Sequence, residues 1–275
     1  MATGHAPGRD RAAAVRGAVS SGARTRIPRP LPPRHIRRTV MTTNQLADPA
    51  APASAVTIAT GRLLTAGAVA GPLFIAVALA QAFTREGFDW SRHPTSMLAL
   101  GDLGWIQITN FVVAAALFFA SAVGIKRALR GKSGGTWAPI LVGTFAVALF
   151  TAGVFPTDAG LGFPPGAPEG FPEFSWHGIV HAVGPTIGIN ALFVSFFVFA
   201  RFFTRSKQPG WALASVAAGA VCIALGFSVN LTGTGEIGNE FNFLPLWFAM
   251  MTGWSYMSLL AWKLHSRLTS GGQGG

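Results

Sequence analysis

Charge is what this sequence has least of. Asp, Glu, Lys and Arg together make up 11% of its 275 residues, against about 25% in a soluble domain. A soluble protein of this size needs far more charge on its surface, which argues against a soluble enzyme. Cysteine is nearly absent too. The single Cys222 rules out an intrachain disulfide and a cysteine-based zinc site. Acids are scarce, with 10 Asp and Glu against 21 Lys and Arg, a formal net charge of +11. A nucleic-acid binder would need those bases as a patch on a water-exposed face. Half of the residues are hydrophobic, so where the charges sit decides what they mean.

The first 58 residues lack Phe, Trp and Tyr and have only two acids, Asp10 and Asp48. They hold nine arginines, from Arg9 to Arg38, among Ala, Gly, Pro, Ser and Thr. Such a segment buries too little apolar area to offset its backbone entropy and reads as a disordered basic tail. It has no apolar run fit for a signal peptide, and its prolines at 28, 30, 32 and 33 argue against the amphipathic helix of a transit peptide. Met41 heads a short polar leader, which makes residues 1–40 a candidate over-called start.

From Arg62 the chain turns to long apolar runs. Six stretches, about 62–83, 104–125, 137–155, 178–200, 211–231 and 243–262, carry no Asp, Glu, Lys or Arg beyond their ends. Each approaches the roughly 20 residues that cross about 30 Å of hydrocarbon. Backbone polar groups in lipid must be satisfied internally, so the runs predict helices. The alternating segments of a barrel are missing. The expected fold is all-α: a polytopic six-helix membrane bundle over 59–268, with residues 269–275 a disordered C-terminal tail.

The charges then fall into place. Nineteen of the 21 basic residues lie on one side of the six spans: the N-terminal side through Arg62, the loops at 126–132 and 201–207, and the tail with Lys263 and Arg267. The other side has only Arg85 and Arg92, and eight of the ten acids. The positive-inside rule predicts a plasma-membrane protein with both termini cytoplasmic and three loops outside. The bases need no nucleic acid; topology and contact with anionic lipid heads account for them.

The outer loops carry most of the residues that could do chemistry. His177 and His181 stand at i,i+4, on one face of a helix start, the spacing by which two histidines share a metal. With Asp158 from the preceding loop and His93 from the first outer loop, they form a candidate zinc set. Ser96, Asp158 or a metal-bound water would then serve a lipid hydrolase. The alternative reading makes both histidines interfacial polar residues bonded to neighbouring helices or headgroups. Within the spans, Gln107, Asn110, Asn190 and Asn230 are either structural glue between helices or the lining of a polar pocket. With His93 and Ser96 they are the candidate ligand-binding residues. No acid or base lies mid-span, which counts against a proton-coupled transporter.

As a set these motifs resemble the DUF998 family of six-helix membrane proteins. The resemblance runs over about 62–265: GPLF (71–74), the block GFDWSRHPTSMLALGDLGWIQITNF (87–111), FPTD (155–158) and the His-bearing start of the fourth helix. The matching residues are Gly71, Pro72, His93, Ser96, Leu100, Gly101, Gly104, Trp105, Gln107, Asn110, Phe111, Pro156, Asp158 and His181. The resemblance implies architecture and no chemistry. A more distant similarity joins the chain to Frag1/DRAM/Sfk1-type membrane proteins tied to lipid handling. The His, Ser and Asp inventory is similar, in residue types alone, to hydrolases related to alkaline ceramidase, which have seven spans. The leading expectation is binding or sensing of a lipid or small amphiphile at the outer interface, more a binder than an enzyme. The alternatives are the metal-dependent lipid hydrolase and a transporter or accessory subunit. Membrane lipid is the expected partner, with a homo-oligomer or a second membrane protein as further candidates.

Overall fold

The computed structural model describes residues 50–234, 236 and 239–271. Six helices account for most of them: α1 (Ala50–Thr84), α2 (Gly104–Ala128), α3 (Trp137–Val154), α4 (Trp176–Arg205), α5 (Pro209–Ser228) and α6 (Leu244–Gly271). Two short 3₁₀ turns, Thr95–Ala99 and Val229–Leu231, complete the regular structure. The first five helices are long and apolar enough to cross a membrane. α6 has the length at 28 residues, but its Trp, Tyr, Ser and Thr residues dilute its hydropathy.

Two expected boundaries change. Residues 50–58, assigned to a disordered tail, are the first turns of α1. The segment AAPASAVTI is rich in alanine, the best helix former, and its one proline sits in the first turn, where no backbone bond is lost. Likewise α6 runs to Gly271, so residues 269–271 are helical. The nine arginines up to Arg38, and the expected disorder of residues 1–49 and 272–275, lie outside the described residues.

The helices form a closed ring in chain order, each packing on the next and α6 returning to α1. The end of α6 meets the start of α1, where the His265 ring lies 3.2 Å from the Gly61 carbonyl oxygen. Trp254 of α6 fills the middle of the ring, wholly buried among Phe74, Phe118 and Phe145. The outer surface is also apolar: Val69, Phe119, Val147, Phe150 and Ile187 are each at least half exposed. In water such a belt would be an aggregation surface; in lipid it is the expected solvent-facing side.

Between helices in lipid, close packing has to supply the attraction that water supplies elsewhere, so small residues mark the tight crossings. A side-chain carbon at Gly67 would overlap Ser121 of α2, and one at Gly71 would overlap the Trp254 backbone of α6. Beside this crossing Pro72 interrupts the α1 bonding pattern. Ser258 of α6 reaches into the same turn, accepting the Gly71 N–H at 3.0 Å and donating to the Gly67 carbonyl at 2.8 Å.

Among the described residues the charges separate by end. Arg62, the loop bases from Lys126 to Lys132, Arg201, Arg205, Lys207, Lys263 and Arg267 share the end where α1 starts and α6 finishes. The opposite end carries the three longer connections, 85–103, 155–175 and 232–243, with Arg85, Arg92 and the acids.

Candidate functional site

The long connections pack into a cap with a small core of its own. Met97, Leu161 and Phe163 are buried together, with Phe88, Leu100 and Phe243 against them. Arg85, one residue past α1, donates to the Leu98 and Leu100 carbonyls at 3.1 and 2.6 Å and lies over the Phe163 ring. The second connection folds on itself through Leu161 N–H to Gly170 O and Gly162 N–H to Pro168 O. Leu161, Gly162 and Gly166 take positive φ to turn it. The start of α6 is tied in by Phe243 N–H to Ser91 O at 2.7 Å.

His93 pins this cap. It is 2% exposed. Its Nδ1 accepts the Asp89 N–H, and its Nε2–H donates to the Leu161 carbonyl, both at 2.9 Å. Its own carbonyl accepts the Trp247 indole N–H at 2.9 Å. One residue thus joins two connections to α6. Burial, seconded by Arg92, pushes the imidazole below the usual histidine range against the opposing pull of the Leu161 carbonyl, Asp89 and Glu169. Neutral His93 has no free ring nitrogen for a metal. The exposed Arg92–Glu169 pair at 3.2 Å is worth little beside it, about 0–1 kcal/mol.

Asp158 closes the start of α4. Its carboxylate accepts the Ser175 N–H at 2.9 Å and the Ser175 hydroxyl at 2.7 Å, while Ser175 in turn caps the helix by accepting the Gly178 N–H. Gly178 is required, because a side-chain carbon there would overlap the carboxylate. An anion at a helix N-terminus is also favoured by the helix dipole. His177 Nδ1 stands 3.7 Å from Asp158. His181, one turn on, directs Nδ1 to the Phe155 carbonyl at 2.7 Å. The structure therefore brings Asp158 and His177 together and leaves His93 in the cap. Among the described residues no three His, Cys, Asp or Glu side chains converge as a metal would need.

Beneath the cap lies a cavity of about 360 Å³. Its floor is Phe111, Phe145 and Trp254. Its walls are Leu149 and Ala152 of α3, His181, Pro185 and Ile189 of α4, and Leu246 and Met250 of α6. Its roof is Thr95, Ser96, Thr157, Phe171 and Phe174 of the cap. Among the described residues no Asp, Glu, Lys or Arg lines it. Of the sequence candidates, Ser96 and His181 reach it.

A second cavity of about 380 Å³ adjoins the first between α4, α5 and α6, sharing Thr186, Ile189 and Leu246 as a common wall. It collects the candidates Asn190 and Asn230, 40 residues apart in the chain. Gln107 and Asn110 go elsewhere. They are buried between α1 and α2, where the Gln107 carbonyl oxygen accepts from Gln81 at 2.8 Å and from Asn110 at 3.2 Å. Asn110 also donates to the Phe74 carbonyl. Gln81, buried at the end of α1, is the partner that sequence reasoning missed. A lone amide near the end of an apolar run was the available signal.

The family described as "Protein of unknown function (DUF998)" matches residues 68–263, which include both cavities and the cap. No curated protein matches the chain, and no solved structure does.

Proposed function

Because this chain belongs to the DUF998 family, a membrane family defined without an activity, its function has to be read from its site, and we propose that it binds an amphiphile in the cavity beneath the cap. The cavity carries the reading. At about 360 Å³ it falls within the roughly 300–1,000 Å³ of small-molecule sites. Its walls are aromatic and aliphatic, suited to a hydrocarbon chain. Its hydroxyl groups Thr95, Ser96 and Thr157 sit in the roof, where a chain would give way to a head, and His181 stands in the α4 wall. An ionised group placed there would be desolvated without a counter-charge, at a cost of several kcal/mol.

The setting belongs to the same proposal. With the basic end in the cytoplasm, the cap stands at the outer face of the plasma membrane. The ligand would then be drawn from the outer leaflet or from solution above it. Both carboxylate oxygens of Asp158 and both nitrogens of His93 are engaged in holding the cap and α4. That leaves them structural work rather than catalysis.

The test uses the protein in nanodiscs and a fatty-acyl probe carrying a diazirine on its chain. Cross-links are expected on α3, α4 and α6 residues of the cavity. Ala182→Trp, which fills the cavity from its wall, should cut them about tenfold, equivalent to about 1.4 kcal/mol. Cross-links confined to the outer belt, such as Ile187 and Val194, or unmoved by Ala182→Trp, would sink the proposal.

A further inference from the structure

The basic end holds a feature that membrane orientation alone does not explain. Its bases on α1, α2, α4 and the short connections, from Arg62 to Lys207, are all exposed. Lys263 and Arg267 are different. They stand one turn apart on α6 and are both partly buried. The Lys263 ammonium lies 5.0 Å from the centre of the Trp211 ring, and the Arg267 guanidinium 5.1 Å from that of Phe202. The two rings belong to one ledge: Phe202 packs on Phe203 at 5.1 Å, and Phe203 on Trp211 at 5.6 Å. The ledge joins the end of α4 to the start of α5, and α6 lays two cations along it.

The rings order these side chains but bring no counter-charge, since a ring has a quadrupole and no net charge. Among the described residues no acid stands at this end, and neither cation has an ion pair. Nη1 of Arg267 is closed to water and has no hydrogen-bond acceptor. A cation that has lost water on one side and gained no anion carries an uncompensated desolvation penalty. An anion on the open side of the pair offsets it. Depth names the source of that anion. Trp262, 55% exposed, directly precedes Lys263 and marks the membrane–water interface, where indoles sit. Lys263 and Arg267 follow it toward the water, at the level of lipid phosphates. Arg supplies a fork of donors to a phosphate and Lys a point charge. We infer that the ledge is a binding site for the phosphate head of an anionic phospholipid in the leaflet at the basic end. A zwitterionic head brings its own ammonium to an end that carries bases, so net negative charge selects the lipid. The site lies at the opposite end from the capped cavity and is independent of amphiphile binding there.

The full chain in detergent is offered equal amounts of a phosphatidylglycerol and a phosphatidylcholine with the same acyl chains, and retained lipid is read by native mass spectrometry. The phosphatidylglycerol should be retained about tenfold more, the worth of one or two bases acting on an anionic head. Lys263→Gln/Arg267→Gln should remove the preference. Lys126→Gln/Arg127→Gln, which takes the same charge from two exposed positions of α2, should keep it. A phosphatidylglycerol with a diazirine in its head should cross-link the native protein within 202–211 and 263–267, which locates the site even where the double variant does not fold. Millimolar inorganic phosphate should not compete, because it lacks the acyl chains that hold a head at this depth. Equal retention of both lipids, equal loss in the two double variants, cross-links equally strong over 126–132, or displacement by phosphate overturns the inference. The last result would make the ledge a site for the free anion. None of these outcomes bears on the cavity beneath the cap.

Discussion

A histidine whose two nitrogens are both engaged tolerates one protonation state. In His93, Nδ1 is an acceptor and Nε2 a donor; a second proton on Nδ1 would face the Asp89 N–H. Its pKa in the folded protein is lowered by burial, while in the unfolded chain it sits near the ordinary 6.5. The unfolded state therefore takes up the proton first. The stabilising contribution of His93 is complete above about pH 6.5 and shrinks as pH falls toward the folded value. Asp89 and Glu169 moderate this and Arg92 reinforces it. Hydrogen-exchange protection factors of residues 85–103, with the pH dependence of the intrinsic exchange rate divided out, should fall on acidification from pH 7.5 to 5.5 in the native protein. In His93→Gln they should be low at both. Protection factors that do not change with pH in the native protein would refute the pinning role. The sequence marked His93, Ser96, Asp158 and His181 as residues of interest from their types and places, but it could not tell pin from ligand. That distinction lies in which backbone group stands opposite each side chain, and those groups, Leu161 O, Ser175 N and Phe155 O, come from other segments.

At the level of helices, the crossing of α1 and α6 sets how tightly the ring closes. Gly71 permits contact with the Trp254 backbone, and Ser258 bonds the same turn. Ser258→Ala should lower stability by about 1 kcal/mol, the net worth of an ordinary hydrogen bond. Gly71→Val should cost more, about 1–3 kcal/mol or above, because overpacking has nowhere to go against backbone. Thermal unfolding in detergent would rank the two variants, and a larger loss for Ser258→Ala would contradict the packing account. Helix positions were readable from the sequence because apolar runs end in charges, Gly and Pro. Which faces meet was not. Lipid-facing and core-facing sides are both apolar, so the stripe that orients a soluble helix is missing. For that reason Gln107 and Asn110 pointed correctly to a helix contact, while their partner on α1, Gln81, went unseen. Asn190 and Asn230 likewise gave no sign of sharing a cavity, which depends on how α4 and α5 turn about their axes.

For the whole molecule, charge and shape agree on two unlike ends. One has short connections and a concentration of Lys and Arg; the other has the packed cap. Placing single cysteines in a Cys222→Ser background, at Pro165→Cys in the cap and Lys132→Cys at the basic end, reads the orientation in intact cells. A membrane-impermeant maleimide should label the first from outside and the second only after permeabilisation. The reverse pattern would invert the proposed setting. The buried Cys222 thiol, bonded to Ala249 O, makes the replacement worth checking for correct folding first.

The chain-order ring also has a consequence in time. Translation delivers helices in sequence, and neighbours can pair as they arrive, α1 with α2 and α2 with α3. Only α6 contacts both ends of the series, and it brings the Trp254 plug and one wall of each cavity. It is also the helix least able to enter lipid on hydropathy alone. Without α6 the other five helices have no contact that closes α5 onto α1, so the ring and both cavities are complete only when α6 is in place.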